Sequence, residues 1–135
     1  IMNRFTRKTE IAVKSVMPIE QVLAMRTVLD QVYCDEKVGD YILDIVFATR
    51  KPSNYKMPID HQIEYGASPR ATLYLNLAAR ANAMLHGRAY ATPQDVKEIA
   101  FDVLRHRIIL TYEAEAEEVS SEDIITRILN EIPVP

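Results

Sequence analysis

Apolar residues recur at intervals of three and four positions along most of this chain, which is the pattern of amphipathic α-helices. Prolines and small polar residues interrupt the pattern at places that suit helix starts. Five helices are predicted on this basis, over about residues 18–31, 36–50, 69–86, 93–104 and 121–132. The expected fold class is therefore all-α, a bundle of five helices.

Two of these helices begin with specific capping signals. Ser68 followed by Pro69 offers a capping hydroxyl and then a proline at the first helical position, where its missing N–H costs nothing. The run from Thr92 to Asp95 has the form of a capping box. Gly87 suits the left-handed position that ends the helix predicted over 69–86. That helix is apolar on nearly every side, so we expect it at the centre of the bundle.

Three segments lie outside the predicted helices. Residues 51–67 contain two prolines, a glycine and no periodicity, and are predicted as one long loop. Residues 108–110 are β-prone, and residues 32–34 are their expected partner, which predicts one small two-stranded β ribbon. The acidic run at 113–118 is interpreted as a solvated connector.

Composition excludes several functional classes. Only three of the 135 residues are glycine, so the glycine-rich phosphate loop of a complete P-loop or Rossmann enzyme cannot be built. A net charge of −3 disfavours a nucleic-acid-binding domain. No apolar run approaches the ~20 residues of a membrane span. The single cysteine favours a reducing cytoplasm.

Arg70 is the most informative candidate site residue. If Ser68 caps the helix and Pro69 is its first residue, Arg70 stands where unpaired N–H groups and the helix dipole already make the environment positive. An arginine there becomes favourable when an anion such as a phosphate lies opposite it. The alternative is an ordinary surface arginine paired with Glu64 or Asp60.

Four blocks of sequence together resemble the C-terminal lid domain of MoxR-type AAA+ ATPases. They are YILDIVFATR at 41–50, GASPRA at 66–71, HGRAYATPQDVKEIAFDVLRHRIIL at 86–110 and ILNEIPVP at 128–135. The resemblance covers about residues 17–135, which are identified as a helical AAA+ lid of five-helix type. Residues 1–16 are interpreted as the linker from the ATPase core that precedes the lid in this family.

The resemblance also implies site residues and cofactors. Arg70 matches the sensor-2 arginine, a catalytic residue that in the family reaches from the lid to the γ-phosphate of ATP held by the core. Ala67, Ser68 and Pro69 belong to the same motif and are expected near the nucleotide. ATP and Mg²⁺ are the implied cofactors of the intact ATPase, with neither expected on this chain alone. His61 and Glu64 lack a third ligand, so no metal site is predicted.

The implied partners are the protein's own core and neighbouring subunits of a homo-oligomeric ring, with von Willebrand factor A domain proteins as further partners and chaperone-like remodelling of protein complexes as the role. Four further family positions are interpreted as contacts to helix carboxylates or to a neighbouring subunit: Arg88, Arg105, His106 and Arg107. Two other functions stay open. One is a helical protein-interaction module without a nucleotide role. The other is a helix-turn-helix nucleic-acid binder using residues 105–107, which the net charge disfavours.

Overall fold

A computed structural model describes residues 14–135 of the chain, so most of the predicted linker over 1–16 lies outside the described residues. The described part forms six α-helices: α1 (Ile19–Leu29), α2 (Glu36–Ala48), α3 (Ala71–Leu85), α4 (Pro93–Leu104), α5 (Tyr112–Ala116) and α6 (Ser121–Glu131). Two short 3-10 helices span Pro52–Tyr55 and Asp60–Gln62. The strands have two or three residues each: β1 (Tyr33–Cys34), β2 (Ile63–Tyr65), β3 (Tyr90–Ala91) and β4 (Ile109–Leu110). The predicted all-α class is confirmed.

The capping box predicted at Thr92 is confirmed, and side chains also cap α2 and α6. Asp35 accepts a hydrogen bond from the N–H of Lys37 at the start of α2. Thr92 and Asp95 form the reciprocal bonds of a capping box at the start of α4, and Ser120 and Asp123 form a second one at the start of α6. Helix starts are fixed by groups within three residues of one another, so the sequence reveals them directly.

The long helix α3 is the centre of the bundle, as expected from its composition. It packs against α4 and α2 through a buried row on which alanines allow close approach of the helices. The core around it is aliphatic, and its largest fully buried side chains include Ile42, Ile45, Leu75, Leu104, Ile124, Ile125 and Ile128.

The prediction for the strands was wrong in its pairing. β1 pairs in parallel with β3, and β2 pairs antiparallel with β4, so residues 32–34 and 108–110 belong to two different sheets. Strands of two or three residues carry almost no signal of their partner, because their pairing follows from how the helices place them.

Two segments that were predicted to lack regular structure are ordered. The predicted loop over 51–67 contains both 3-10 helices and β2, and buried Met57 and Ile59 hold it against the core. The predicted acidic connector contains α5, where Thr111 accepts from the N–H of Ala114 and Ala114 itself is buried. A few apolar anchors are enough to order these polar segments.

Helix α1 differs from the other helices because it has no buried residue. Its apolar side chains are substantially exposed, with Ile19 at 68% and Leu23 at 54% of full accessibility. Nothing among residues 14–135 covers this face. No helix in the described part of the chain is both long and apolar enough to cross a membrane.

Candidate functional site

The candidate site is the turn that leads into α3. Ala67 and Ala71 are buried on either side of it, whereas the three residues between them are exposed. The side chain of Ser68 accepts a hydrogen bond from the N–H of Arg70 at 3.3 Å. Arg70 itself occupies the N-cap position, which has no side-chain cap, so the prediction that Ser68 caps this helix was wrong. The α-helix itself begins at Ala71, two residues later than predicted. The site therefore presents Ser68, Pro69 and Arg70 at the surface between two buried anchors.

The backbone N–H groups of this turn are already used. The N–H of Ala71 donates to the carbonyl of Ser68 at 2.8 Å, and that of Thr72 donates to the carbonyl of Pro69 at 3.1 Å. These i to i−3 bonds give a tight first turn, which explains the later start of the α-helix. The expectation of unpaired N–H groups around Arg70 was therefore wrong. The guanidinium of Arg70 is the positive group that this turn offers to an anion.

Arg70 is exposed, and within residues 14–135 its guanidinium forms no ion pair. The alternative pairing with Glu64 or Asp60 is thus not found in the described structure. An arginine without a carboxylate partner retains its full capacity for a bidentate contact with a phosphate oxygen pair.

The segment before Ser68 lies directly against the end of α2. Thr49 is fully buried, and its hydroxyl accepts from the N–H of Ala67 at 2.9 Å and donates to the carbonyl of Val46 at 2.6 Å. The guanidinium of Arg50 donates to the carbonyl of Ala67 at 3.3 Å. Thr49 and Arg50 belong to the YILDIVFATR block, but nothing in their local sequence indicates this contact.

A cavity of about 390 Å³ opens beside this contact, lined by Phe47, Arg50, Lys51, Asn54 and Tyr55. Burial, together with a 2.9 Å hydrogen bond that its hydroxyl donates to Asp44, raises the pKa of Tyr55 to about 12. Tyr55 therefore stays neutral and acts as a hydrogen-bond donor at physiological pH.

The opposite end of α3 contains a buried ionic network. Asp95 is 1% exposed, and its carboxylate accepts hydrogen bonds from both terminal nitrogens of the Arg88 guanidinium, at 2.6 and 2.7 Å. Burial of this carboxylate opposes its ionisation. Hydrogen bonds from Arg88, Thr92 and Asn82 outweigh that effect, so the pKa of Asp95 lies well below its usual range. The interpretation of Arg88 as a partner of a helix carboxylate is confirmed.

The two arginines of the 105–107 cluster have partners within the domain. Arg105 forms ion pairs with Asp102 at 2.8 Å and with Glu122 at 3.4 Å. Arg107 lies over the ring of Tyr74 at 4.8 Å and donates to the carbonyl of Val103. His106 is exposed. Neutralised and stacked arginines are poor contacts for a nucleic-acid backbone, so the structure does not favour the helix-turn-helix alternative.

Residues 14–135 contain one group with metal-ligand chemistry, formed by His86, Asp95 and Glu98, whose donor atoms lie within 4.8 Å of one another. Its central carboxylate is the one already held by Arg88, Thr92 and Asn82. A cationic guanidinium on that carboxylate opposes the binding of a second cation. Spacing in the sequence could not reveal this group because its members meet only through the packing of α3 against α4.

The fold is that of a helical AAA+ lid. The sequence pattern of the AAA lid domain family matches residues 57–128, more than half of the chain. The chain therefore belongs to the AAA lid domain family.

The relatives point to one branch of AAA+ proteins. The chain is 40% identical over 123 residues to Chaperone MoxR1 of Mycobacterium tuberculosis, which covers 90% of this chain and 33% of the relative. It is 26% identical over 137 residues to Protein MoxR of Methylorubrum extorquens, covering 96% of this chain and 40% of the relative. A solved structure of a candidate ATPase from Cytophaga hutchinsonii superposes with a TM-score of 0.93 at 40% identity, covering 99% of this chain and 41% of that one.

These matches confirm the resemblance to the lid of a MoxR-type AAA+ ATPase. The chain spans only about a third to two-fifths of the length of these relatives.

Proposed function

We propose that this chain is the sensor-2 lid of a MoxR-type AAA+ ATPase, with Arg70 as the arginine that contacts the γ-phosphate of ATP. The observation that carries the proposal is the placement of Arg70. It is exposed at the residue immediately before the central helix, it forms no ion pair within residues 14–135, and it lies between two buried alanines.

The residues of this turn fit the phosphate end of ATP. The site offers a guanidinium, and Ser68, Pro69 and Arg70 are exposed to a ligand. Residues 66–71 include no carboxylate, so the ligands of Mg²⁺ would come from the core. When bound, ATP with Mg²⁺ supplies the phosphoanhydride bond whose hydrolysis drives the protein.

The contribution of this chain to ATP hydrolysis would be electrostatic. Arg70 would stabilise the charge that develops on the transferring phosphoryl group, as preorganised arginines do in phosphoryl transfer. Contact with the γ-phosphate exists only before hydrolysis, so its loss would release the lid to rotate. Ala67, Ser68 and Pro69 would lie near the nucleotide and keep the arginine in place.

Within this proposal, residues 1–16 are the linker from the ATPase core and residues 17–135 are the lid. We interpret the exposed apolar face of α1 as a surface that a partner covers, because such faces are normally covered in an assembled protein. We assign that surface to the core or to a neighbouring subunit of a homo-oligomeric ring. The ring would act in the cytoplasm on protein complexes, with von Willebrand factor A domain proteins as partners.

Substitution of Arg70 tests the assignment. In the intact ATPase, Arg70→Ala is expected to lower ATP turnover by about 100-fold, because a preorganised charge aimed at the transition state is lost. Steady-state hydrolysis and nucleotide affinity would be measured side by side. The matched control is Arg105→Ala, which removes an exposed arginine paired with Asp102 and Glu122 and should leave turnover near the wild-type rate.

Unchanged turnover and unchanged ATP affinity in Arg70→Ala would refute the sensor-2 role. The other reading, a helical interaction module without a nucleotide role, is favoured only by the exposed face of α1. It predicts that the intact protein neither binds nor hydrolyses ATP, so the same assays separate the two functions.

A further inference from the structure

We infer that Thr49, with Arg50 and Gly66, positions Arg70 by clamping the segment before α3 onto the end of α2. This inference rests on the proposed role of Arg70 and deepens it. Thr49 and Arg50 close the YILDIVFATR block, and Gly66 opens the GASPRA block. The clamp would explain why these residue types stand at the end of one block and at the start of the other.

The first element of the clamp is a buried hydroxyl. Thr49 is 0% exposed, and its hydroxyl hydrogen is donated to the carbonyl of Val46 at 2.6 Å. Its orientation is thereby set, and a lone pair is directed at the N–H of Ala67, 2.9 Å away. Ala67 is also fully buried, so its N–H has no water to replace this bond.

The second element holds the other backbone polar group of Ala67, its carbonyl. The guanidinium of Arg50 donates to the carbonyl of Ala67 at 3.3 Å. The N–H and the carbonyl of Ala67 are thus held by two consecutive residues at the end of α2. This double contact fixes both the position and the rotation of a residue that lies three positions before Arg70.

The third element is the close approach that Gly66 allows. A Cβ atom at this position would overlap the carbonyl oxygen of Thr49 and lie 2.8 Å from Cα of Arg50. These are backbone atoms, which cannot rotate away as a flexible side chain could. Glycine is therefore required by contact between two backbones, and any larger residue would push the segment off α2.

Between the clamp and the helix, the chain has little freedom. Pro69 restricts its own backbone, the hydroxyl of Ser68 binds the N–H of Arg70, and Ala71 is buried at the start of α3. Movement of Ala67 relative to α2 would consequently be passed to Arg70. Placement errors of about 1 Å at a catalytic group can cost about 100-fold in rate.

The test uses the intact ATPase and an isosteric substitution. Thr49→Val keeps the shape of the side chain but removes the hydroxyl, leaving the N–H of Ala67 unpaired. We expect kcat to fall about tenfold or more, and Thr49→Ser to restore most of it because the hydroxyl returns. Arg50→Ala, at an exposed position that does not threaten folding, should lower kcat in the same direction.

The matched control is Thr92→Val. Thr92 is half-buried, and its hydroxyl also donates and accepts, but its partner Asp95 contacts Asn82 near the far end of α3. Thr92→Val should lower the unfolding midpoint about as much as Thr49→Val does, and it should leave kcat unchanged. Equal losses of kcat in Thr49→Val and Thr92→Val would assign the effect to general destabilisation and overturn the inference.

Two further measurements separate this inference from the proposed function. If Thr49 acts through Arg70, adding Thr49→Val to Arg70→Ala should cause no additional loss of kcat. Amide hydrogen exchange of a peptide over residues 66–73 should be faster in Thr49→Val than in wild type or Thr92→Val. If Arg70→Ala hydrolyses ATP slowly while Thr49→Val keeps the wild-type kcat, the sensor role stands and the clamp is overturned. An active Arg70→Ala would overturn the sensor role, and unchanged exchange would overturn the clamp by itself.

Discussion

Asp95 shows how a single buried carboxylate joins two helices. It caps α4 through Thr92, pairs with Arg88 in the turn after α3 and accepts from Asn82 on α3. Each of these contacts is stronger with the ionised form of the carboxylate. The pKa of Asp95 is lowered accordingly, despite the opposing effect of its burial.

The stability of the domain should therefore depend on pH through Asp95. A carboxylate whose pKa is lowered by folding stabilises the native state above its unfolded pKa and loses that contribution as the pH falls. We expect Asp95→Asn to lower the free energy of unfolding by about 2–3 kcal/mol at neutral pH. This difference from wild type should shrink between about pH 5 and about pH 2. Urea unfolding across this range measures it.

The matched control is Asp102→Asn. Asp102 also pairs with an arginine, but its side chain is 78% exposed, and exposed pairs contribute about 0–1 kcal/mol. Its substitution should cost little at any pH. Equal costs for the two substitutions would show that burial does not strengthen the Asp95 network.

At the scale of elements, the two glycines near α2 are expected to respond to substitution in opposite ways. Gly39 lies within α2, and an added Cβ would meet nothing within 4 Å. Gly66 lies against the backbone of Thr49 and Arg50, where a Cβ would overlap the chain. Their roles could not be told apart in the sequence, because the difference is a contact across many intervening residues.

We expect Gly39→Ala to raise the free energy of unfolding by about 0.5–1 kcal/mol, since alanine is the better helix former. Gly66→Ala should lower it by about 2–3 kcal/mol, because the clash forces the backbone apart. Thermal or denaturant unfolding of the two variants measures both changes. Destabilisation by Gly39→Ala, or tolerance of Gly66→Ala, would contradict the structure.

Helix α1 shows what periodicity in a single element can and cannot establish. Its apolar residues predicted a helix, and the helix is present over Ile19–Leu29. The same residues gave no information on what they pack against, and within residues 14–135 the face remains uncovered. Periodicity reports local conformation, whereas burial depends on a partner surface elsewhere.

At the scale of the whole molecule, the turn before α3 offers the guanidinium of Arg70 to a phosphate but no cradle of free N–H groups. The three glycines of the sequence are far apart, and the N–H groups of this turn are used internally. Under the proposed function, the lid would therefore depend on the core for nucleotide affinity. This division agrees with a chain that spans about a third of the length of Chaperone MoxR1.

Residues 1–135 alone are accordingly expected to show no sub-micromolar binding of ATP and no ATP hydrolysis. A single exposed arginine cannot replace the many contacts of a phosphate loop and its Mg²⁺ ligands. Isothermal titration with Mg²⁺ and ATP measures this, with the intact ATPase as the positive control. Sub-micromolar binding by the isolated chain would mean that the nucleotide site is built within these residues.

The sequence by itself determined five of the six described α-helices, the capping box at Thr92 and the candidate arginine. The Thr92 box, Gly87 and Arg70 were all identified from residues within a few positions of one another. Such features depend on backbone groups that are neighbours in the chain, so a sequence contains them in full.

Only the tertiary structure decided which strands pair, that α5 and the 3-10 helices are ordered, and that Thr49, Arg50 and Gly66 meet beside Arg70. Free N–H groups were predicted around Arg70, but the tight turn there uses them in hydrogen bonds of its own. These outcomes depend on close packing between segments that are distant in sequence. Such packing is decided by the shapes of all the segments that meet, which no single stretch of sequence contains. The candidate sensor arginine is thus predicted by a local motif, and its proposed positioning depends on the end of a different helix.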